Sequence, residues 1–380
     1  MKKFLIRLLI IVVVIASIVF FVSDWKEALY VDESLLTSKE YTTKYYYNQL
    51  DEEQKLIYIK IDTRIKELTR DIHLGFVKNV EAKKDVERVL TAIYNDRPEY
   101  YYLPQDYNVK SLKFGPIEYT ILKLNYTVKD EQDREVKDLK LKQAVDAIVY
   151  DNVSDNMTDI EKAIKLHDAL VARVEYYNFE NIDTIPAVKH TAYEALINSS
   201  GVCDGITKAY MLLLEKVGIE TIMVTGVMGD VAHAWNIVKL DDEYYHIDAT
   251  SDSVELGGKY HTIHRYFNLN DAEIQRTHKI DEDFNIIPCE GTKYEYYRYK
   301  DYYIDYTEDF KRKLIKVIND QFSSPIVELK LSELYSAQSL LEEMYFLDYN
   351  KWETEDKDIV KYHKIEEVYV FENNNKTKLY

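Results

Sequence analysis

Cys203 lies in the segment SSGVCDGITKAYMLLLEKVG, residues 199–218, and is one of only two cysteines in a chain of 380 residues. Ser199, Ser200 and Gly201 release the chain, and Ile206, Tyr210, Leu213, Leu214 and Val217 recur at helical spacing, so a helix should begin at the cysteine and stop at Gly218. Free amides and the positive dipole end at a helix start favour an anion, which lowers the pKa of a thiol placed there. The same amides can hold an oxyanion, and Gly201 and Gly205 leave space for an approaching carbonyl. These features suit a nucleophile that accepts an acyl group. Two plainer readings stay open: a structural core cysteine, and a disulfide to Cys289. A single bridge adds little to a chain with a large core of its own.

A base and an orienting acid are found in HAWNIVKLDDEYYHIDATSD, residues 233–252. Two alternating runs broken by Asp241 and Asp242 read as an antiparallel hairpin. With the turn there, Leu240 faces Glu243, Val238 faces Tyr245, Trp235 faces Asp248 and His233 faces Thr250. His233 and Asp248 then become diagonal neighbours on one face, ~7–8 Å apart between backbones and within side-chain reach. A slip of one residue would send one of them to the opposite face. In this arrangement His233 takes the thiol proton and later returns one to a leaving amine, while Asp248 fixes the tautomer. His246, two residues before Asp248, is a rival base whose place on the acid's strand suits a supporting role beside Trp235. A metal site built from Cys203, His233 and Asp248 lacks an obvious fourth ligand.

The elements that must position these residues follow from pattern. Asp51 caps a helix carrying Ile57, Ile61, Ile65 and Leu68, and a second helix from Asp85 carries Val86, Val89, Leu90 and Ile93 up to the breaker NDRPE. Residues 117–128 alternate like a strand whose facing slips at Ile121 and Leu122. Thr158 and Glu161 form a capping box for a helix with Ile160, Ile164, His167, Val171 and Val174 on one stripe, where His167 reads as a hydrogen-bonded core histidine. After the cysteine helix come three strands ending near Asn268. Beyond Pro288, the run KYEYYRYKDYYIDY, a helix with Phe310, Leu314, Val317 and Ile318, the run PIVELKL, a helix near Leu340 to Met344 and the run IEEVYVF alternate as strands and helices. The 35 tyrosines cluster there, at 45–47 and at 100–102, a pattern that fits half-buried strands better than sugar stacking.

The N-terminus opens with Lys2, Lys3 and Arg7 around an apolar run. From Phe4 to Val22 it approaches the ~20 residues that span a bilayer. This reads as an uncleaved signal anchor with the rest of the chain outside the cytoplasm, although cleavage after Ala16 is the alternative. Length predicts roughly two or three domains at ~100–200 residues each. The expected partition is an anchor at 1–30, a membrane-proximal α+β domain at 31–150, a catalytic domain at 151–287 and a C-terminal α+β domain at 288–380. The net charge of −18 repels phosphate backbones, and no basic stripe offsets it, so nucleic acid is excluded as a partner.

Taken in order, GVCDGITKAYMLLLEKVGI, HAWNIV and YYHIDAT resemble the transglutaminase-like core of the papain-like cysteine peptidase superfamily over about residues 155–270. YNDRPEYYYL, residues 94–103, is similar to segments that precede this core in bacterial surface-anchored members. The resemblance implies an α+β papain-like fold, a triad of Cys203, His233 and Asp248, no metal or other cofactor, and a thioester resolved by water or an amine. Members often carry an aromatic and a small residue where Ile206 and Thr207 stand, and a tryptophan where Ser251 stands. Tyr193 is the weak candidate for an oxyanion side chain. The expected activity is acyl transfer on protein or peptide amides, by a peptidase or a crosslinker, with cell-envelope components as plausible substrates. The alternative is a non-catalytic binding or adhesion module of the same fold.

Overall fold

The computed structural model describes residues 32–77, 82–103, 106–114, 117–256, 258–305, 309–321, 323–332, 362–365 and 368–372. The chain divides into two compact units, Met1–Lys140 and Leu141–Tyr380. The expected membrane anchor and the helix near Leu340 lie outside the described residues. Among the described residues, no helix is long and apolar enough to cross a membrane.

In the first unit, Asp51 and Gln54 form a capping box at the start of α1 (Glu52–Lys66). After β1 (Asp71–Val77), α2 (Ala82–Asp96) buries Val86, Val89, Leu90 and Ile93 and ends just before the Arg97–Pro98 step, where proline disfavours further helix. Then β2 (Tyr107–Phe114) and β3 (Ile117–Leu124) complete an antiparallel sheet of order β1-β3-β2. The expected slip within the third strand does not occur: Thr120, Leu122 and Leu124 are buried in strict alternation. The irregularity sits on its partner instead, between His73 and Gly75, and the strand stops at Leu124.

The tyrosines of this unit are core rather than a stacking platform. Tyr46, Tyr47, Tyr100, Tyr101 and Tyr102 are all buried. Asp62, fully buried on α1, receives Tyr41 and Tyr100 hydroxyls at 2.9 and 2.7 Å and pairs with Arg97 at 3.1 Å. Asp96 accepts the backbone amides of Tyr46 and Tyr47 at 3.0 and 2.9 Å. Phenol hydroxyls let large apolar rings be buried beside these charges, since a buried charge must be paired or hydrogen-bonded.

The boundary between the units falls within α3 (Glu131–Asn152). In the second unit, the Thr158–Glu161 capping box starts α4 (Asp159–Val171), whose buried stripe includes Ile160, Ile164, His167 and Val171. Next come β4 (Glu175–Tyr176), α5 (Ala192–Asn198), β5 (Ser200–Gly201), α6 (Cys203–Lys216), β6 (Thr221–Met228), β7 (Val231–Leu240) and β8 (Glu243–Ile247). The α6 helix begins at the cysteine as expected, Gly218 follows it with a positive φ, and Ile206, Tyr210, Leu213 and Leu214 are buried. A hairpin of β9 (Ser253–Leu256) and β10 (Lys259–Thr262) intervenes before β11 (Phe267–Leu269) and β12 (His278–Ile280). The central sheet is antiparallel with order β11-β8-β7-β6-β12, and α6 packs on β6 and β7.

The unit closes with β13 (Tyr303–Ile304), α7 (Phe310–Asp320), β14 (Ile326–Leu331), β15 (Tyr362–Ile365) and β16 (Val368–Glu372), in a sheet of order β13-β14-β16-β15. The tyrosine run expected as a strand is mostly not one. Tyr296–Tyr299 is a helical turn that Glu295 caps by accepting the Arg298 amide, and only Tyr303–Ile304 is extended.

Gly226 on β6 marks a close approach between strands of the central sheet. A Cβ there would lie 2.1 Å from the Lys279 carbonyl oxygen of β12 and 3.0 Å from Trp235 of β7. Gly226→Ala should therefore lower stability by about 1–3 kcal/mol, seen as a lower urea midpoint at unchanged slope.

Candidate active site

Local sequence fixes the thiol. Val202 caps α6 without a side-chain hydrogen bond, so no side chain occupies the first-turn amides beside Cys203 from the cap position. Gly205 serves a different purpose from the one expected. A Cβ there would lie 2.6 Å from the Lys189 carbonyl and 3.0 Å from that of Thr191, so the glycine admits backbone, not substrate. Cys203 is 8% exposed and packs with Met211, Met223 and Ala234. Both cysteines are free, which removes the disulfide alternative. Asp204 lies beside the thiol, with Sγ to Oδ1 at 3.8 Å, and its other oxygen contacts His190 Nδ1 at 2.9 Å.

The hairpin register is the one the sequence dictates: Leu240 pairs with Glu243, Val238 with Tyr245 and Asn236 with Ile247. Continuing it by one step sets Trp235 across from Asp248. His233 Nε2 lies 2.9 Å from Asp248 Oδ2, and Cys203 is near enough to the His233 ring to favour its charged form. With Nε2 committed to the carboxylate, Nδ1 is the ring nitrogen left for sulfur. Helix and strand are latched together nearby, because Thr207 donates to the Ala234 carbonyl at 3.0 Å and Asn236 donates to the Thr207 carbonyl at 3.2 Å.

Burial works against a charged His233, but the Asp248 carboxylate and the nearby Cys203 outweigh it and hold the ring's pKa up at about 10. Burial likewise opposes a charged Asp248. His233 and His278 overcome it and keep that carboxyl well below the usual range. The site therefore favours imidazolium at His233 and carboxylate at Asp248.

The weaker candidates separate. Trp235 is 1% exposed, stacks near His233 at a centroid distance of 6.1 Å, and donates its indole N–H to His246 Nδ1 at 3.0 Å. His246 Nε2 in turn meets Asp271 at 2.9 Å. Both nitrogens of His246 are thus engaged away from the thiol, so it supports Trp235 and is no rival base. Tyr193 stands half-buried in the first turn of α5. Another tyrosine is placed where the thiol's charge is felt. Tyr176, 36% exposed, pairs with Gly201 through the parallel β4–β5 bridge. Burial, followed by the charges of Cys203, Asp204 and Asp248, pushes its phenol up to about 12, so it remains a hydrogen-bond donor at neutral pH. Only a pairing between distant segments reveals Tyr176, and the same holds for His278 on β12.

A cleft of about 1190 Å³ reaches this region, with Tyr176, Ile206, Met228, Val231 and His233 in its wall. Farther along, His264 meets Glu328 at 2.7 Å and Asp168 at 2.8 Å, while His167 meets Asp252 at 3.1 Å. His167 is thus the hydrogen-bonded core histidine the sequence suggested. Among the described residues, three His-containing clusters have ligand atoms close enough to hold a metal: His167–Asp168–His264, His233–Asp248–His278 and His246–Asp271–Cys289. Hydrogen bonding accounts for them as proton-sharing groups. The indole of Trp235 can only donate, so His246 Nε2 carries the proton a metal would have to displace. Glu328 and Asp168 outweigh burial to hold the His264 pKa up at about 10, and a protonated ring is no ligand.

The comparisons with known proteins bear on this geometry. Residues 146–249 match the family model of the transglutaminase-like superfamily. The chain carries a transglutaminase-like domain. That domain contains Cys203, His233 and Asp248. Among solved structures, a TGase is 12% identical, with 63% of this chain and 59% of that chain covered and a TM-score of 0.29. A candidate cysteine protease from Cytophaga hutchinsonii is 10% identical, with 50% of this chain and 83% of that chain covered and a TM-score of 0.23. No curated protein matches.

The two thiols of the chain should behave differently. Burial, with Asp271 adding to it, pushes the Cys289 thiol far up. Iodoacetamide at pH 7 should therefore label Cys203 in the transglutaminase-like domain and spare Cys289, as read by peptide mass spectrometry of the native protein. The charged histidines also set a pH dependence. His233 and His264 have folded pKa values near 10 against an ordinary 6.5, so their contribution to stability is complete below about 6.5 and is lost as pH rises through about 10. The melting temperature should fall between pH 7 and 10, with a flatter fall in Asp248→Asn.

Proposed function

We propose that the protein is a thiol acyl-transfer enzyme acting on protein or peptide amides, with Cys203 as nucleophile, His233 as acid and base, and Asp248 as orienting carboxylate. The carrying observation is the 2.9 Å contact of His233 with Asp248 while Cys203 lies near the same ring. The match of residues 146–249 to the transglutaminase-like superfamily supports it.

His233 draws the proton from sulfur, and the thiolate attacks the amide carbonyl carbon. Oxygen becomes an oxyanion, for which the first-turn amides of α6 and the phenol of Tyr176 are the available donors, Tyr176 taking the role expected of Tyr193. Collapse breaks the C–N bond, and the His233 imidazolium gives its proton to the leaving amine. The resulting thioester is opened by water or by a second amine, whose proton His233 receives before sulfur is released. Which nucleophile arrives depends on how well the cleft excludes water. The apolar run at Phe4–Val22 supports action outside the cytoplasm from a membrane anchor, with envelope proteins or peptides as substrates.

A second reading, a binding module that keeps the fold without the chemistry, is favoured by the low exposure of Cys203, at 8%. Incubation with a glutamine-containing protein and a labelled primary amine distinguishes the outcomes. A crosslinker incorporates the amine, and a peptidase or deamidase releases amine or ammonia without incorporation. Either activity should fall by at least about 10³-fold in Cys203→Ala, His233→Ala and, less steeply, Asp248→Asn. A binding module shows no turnover in any form.

A further inference from the structure

The buried carboxylate of Asp248 makes more bonds than a triad requires. It is 0% exposed. Oδ1 accepts the amides of Thr250 and Ser251 at 3.1 and 3.3 Å. Oδ2 faces two imidazoles, His233 Nε2 at 2.9 Å and His278 Nε2 at 3.2 Å. Two oxygens offer about four acceptor sites, and all four are filled by protein. No exposed edge remains through which water could replace a missing donor, so removing any one leaves a buried acceptor unpaired.

His278 comes from outside the segment that holds the other residues. It lies on β12 and pairs with Met228 of β6, whereas His233 is on β7 and Asp248 follows β8. The two side chains therefore meet although β6 and β7 lie between their strands in the sheet. Gly226 on β6 lets the neighbouring strands approach closely here, since a side chain there would strike the Lys279 carbonyl and the Trp235 ring. The His278 ring is clamped edge-on to Trp235 at 4.9 Å and to Tyr266 at 5.2 Å, lies 5.4 Å from the His233 ring, and places Nδ1 2.8 Å from the Thr277 hydroxyl. The titratable groups around it include Asp248, His233 and Tyr266, with His246 close enough to be influenced.

We infer that His278 is a positioning residue for the thiol chemistry: a second imidazole on the Asp248 carboxylate that locks it in the orientation His233 requires. The inference rests on the thiol–imidazole–carboxylate reading above. Without His278, Oδ2 has a free lone pair and the carboxylate can turn about its Cα–Cβ and Cβ–Cγ bonds, so His233 loses its fixed tautomer and its line to sulfur. The role belongs to the donor at Nε2, and a neutral side-chain amide at a similar reach should fill it.

Alkylation of Cys203 by iodoacetamide tests this without knowledge of the substrate. Rates at Cys203 are measured in the full chain at pH 6, where an isolated thiol with a pKa of about 8.5 is almost wholly protonated, and at pH 10, where such a thiol is ionised. His278→Phe keeps the ring volume and removes the donor, whereas His278→Gln retains one. The expected result is a loss of about tenfold or more in the pH 6 rate for H278F, unchanged rates at pH 10, and return to within about threefold of the unaltered protein in H278Q. Simple loosening of the fold would instead raise the pH 10 rate. The inference is overturned if H278F matches the unaltered protein at pH 6, or if H278Q falls as far as H278F. His233→Ala is the control for the underlying reading: it should abolish the pH 6 reaction, and its failure to do so would refute the triad itself rather than the role of His278.

Discussion

A fully buried negative charge at Asp248 is the constraint around which the second unit is organised. A carboxylate out of contact with water is tolerated only when each of its acceptor sites is met by a donor. Those donors come from β7, from the turn after β8 and from β12, so satisfying one side chain fixes strands far apart in the sequence. The charge then propagates outward. Asp248 holds a proton on His233, and His233 presents its other nitrogen to the first residue of α6. Thr207 and Asn236 keep that helix in register with the strand.

The surroundings are arranged so that other histidines do not compete. Trp235 directs its indole N–H at His246, and Asp271 takes that ring's second nitrogen. His264 and His167 are held by Glu328, Asp168 and Asp252 in a separate buried chain beside the cleft. His246, His264 and His167 are thus engaged by carboxylates other than Asp248, and His233 is the ring turned toward sulfur. Tyr176 adds a phenol that remains protonated near those negative charges, on a strand tied to the residues immediately before the cysteine.

Much of this was legible because hairpin geometry is local. Once the chain turns at Asp241 and Asp242, the pairing of Val238 with Tyr245 follows, and with it the shared face of His233 and Asp248. The helix starting at Cys203 was legible for the same reason, since its breaker, its periodicity and its stop lie within twenty or so residues. His278 and Tyr176 were not, because each enters the site through a strand pairing between distant segments. Gly205 is different, because a glycine in the first turn of a helix has the same local signature whether it admits a substrate or a neighbouring backbone. The alternation in β3 was also misjudged: side chains alone did not reveal that the bulge belongs to β1. The tyrosine clusters of the first unit are core because buried Asp62 and Asp96 need hydroxyl and amide donors, a demand visible only after folding.

The central claim is that folding brings the sulfur of Cys203, the ring of His233 and the carboxylate of Asp248 into one charged array. An ultraviolet difference titration of the native protein against Cys203→Ala tests it most directly, because the thiolate absorbs where the thiol does not. The account predicts a thiolate signal already present at pH 6 that disappears with His233→Ala. A signal that emerges only near the ordinary thiol pKa of about 8.5, with or without His233, would contradict it.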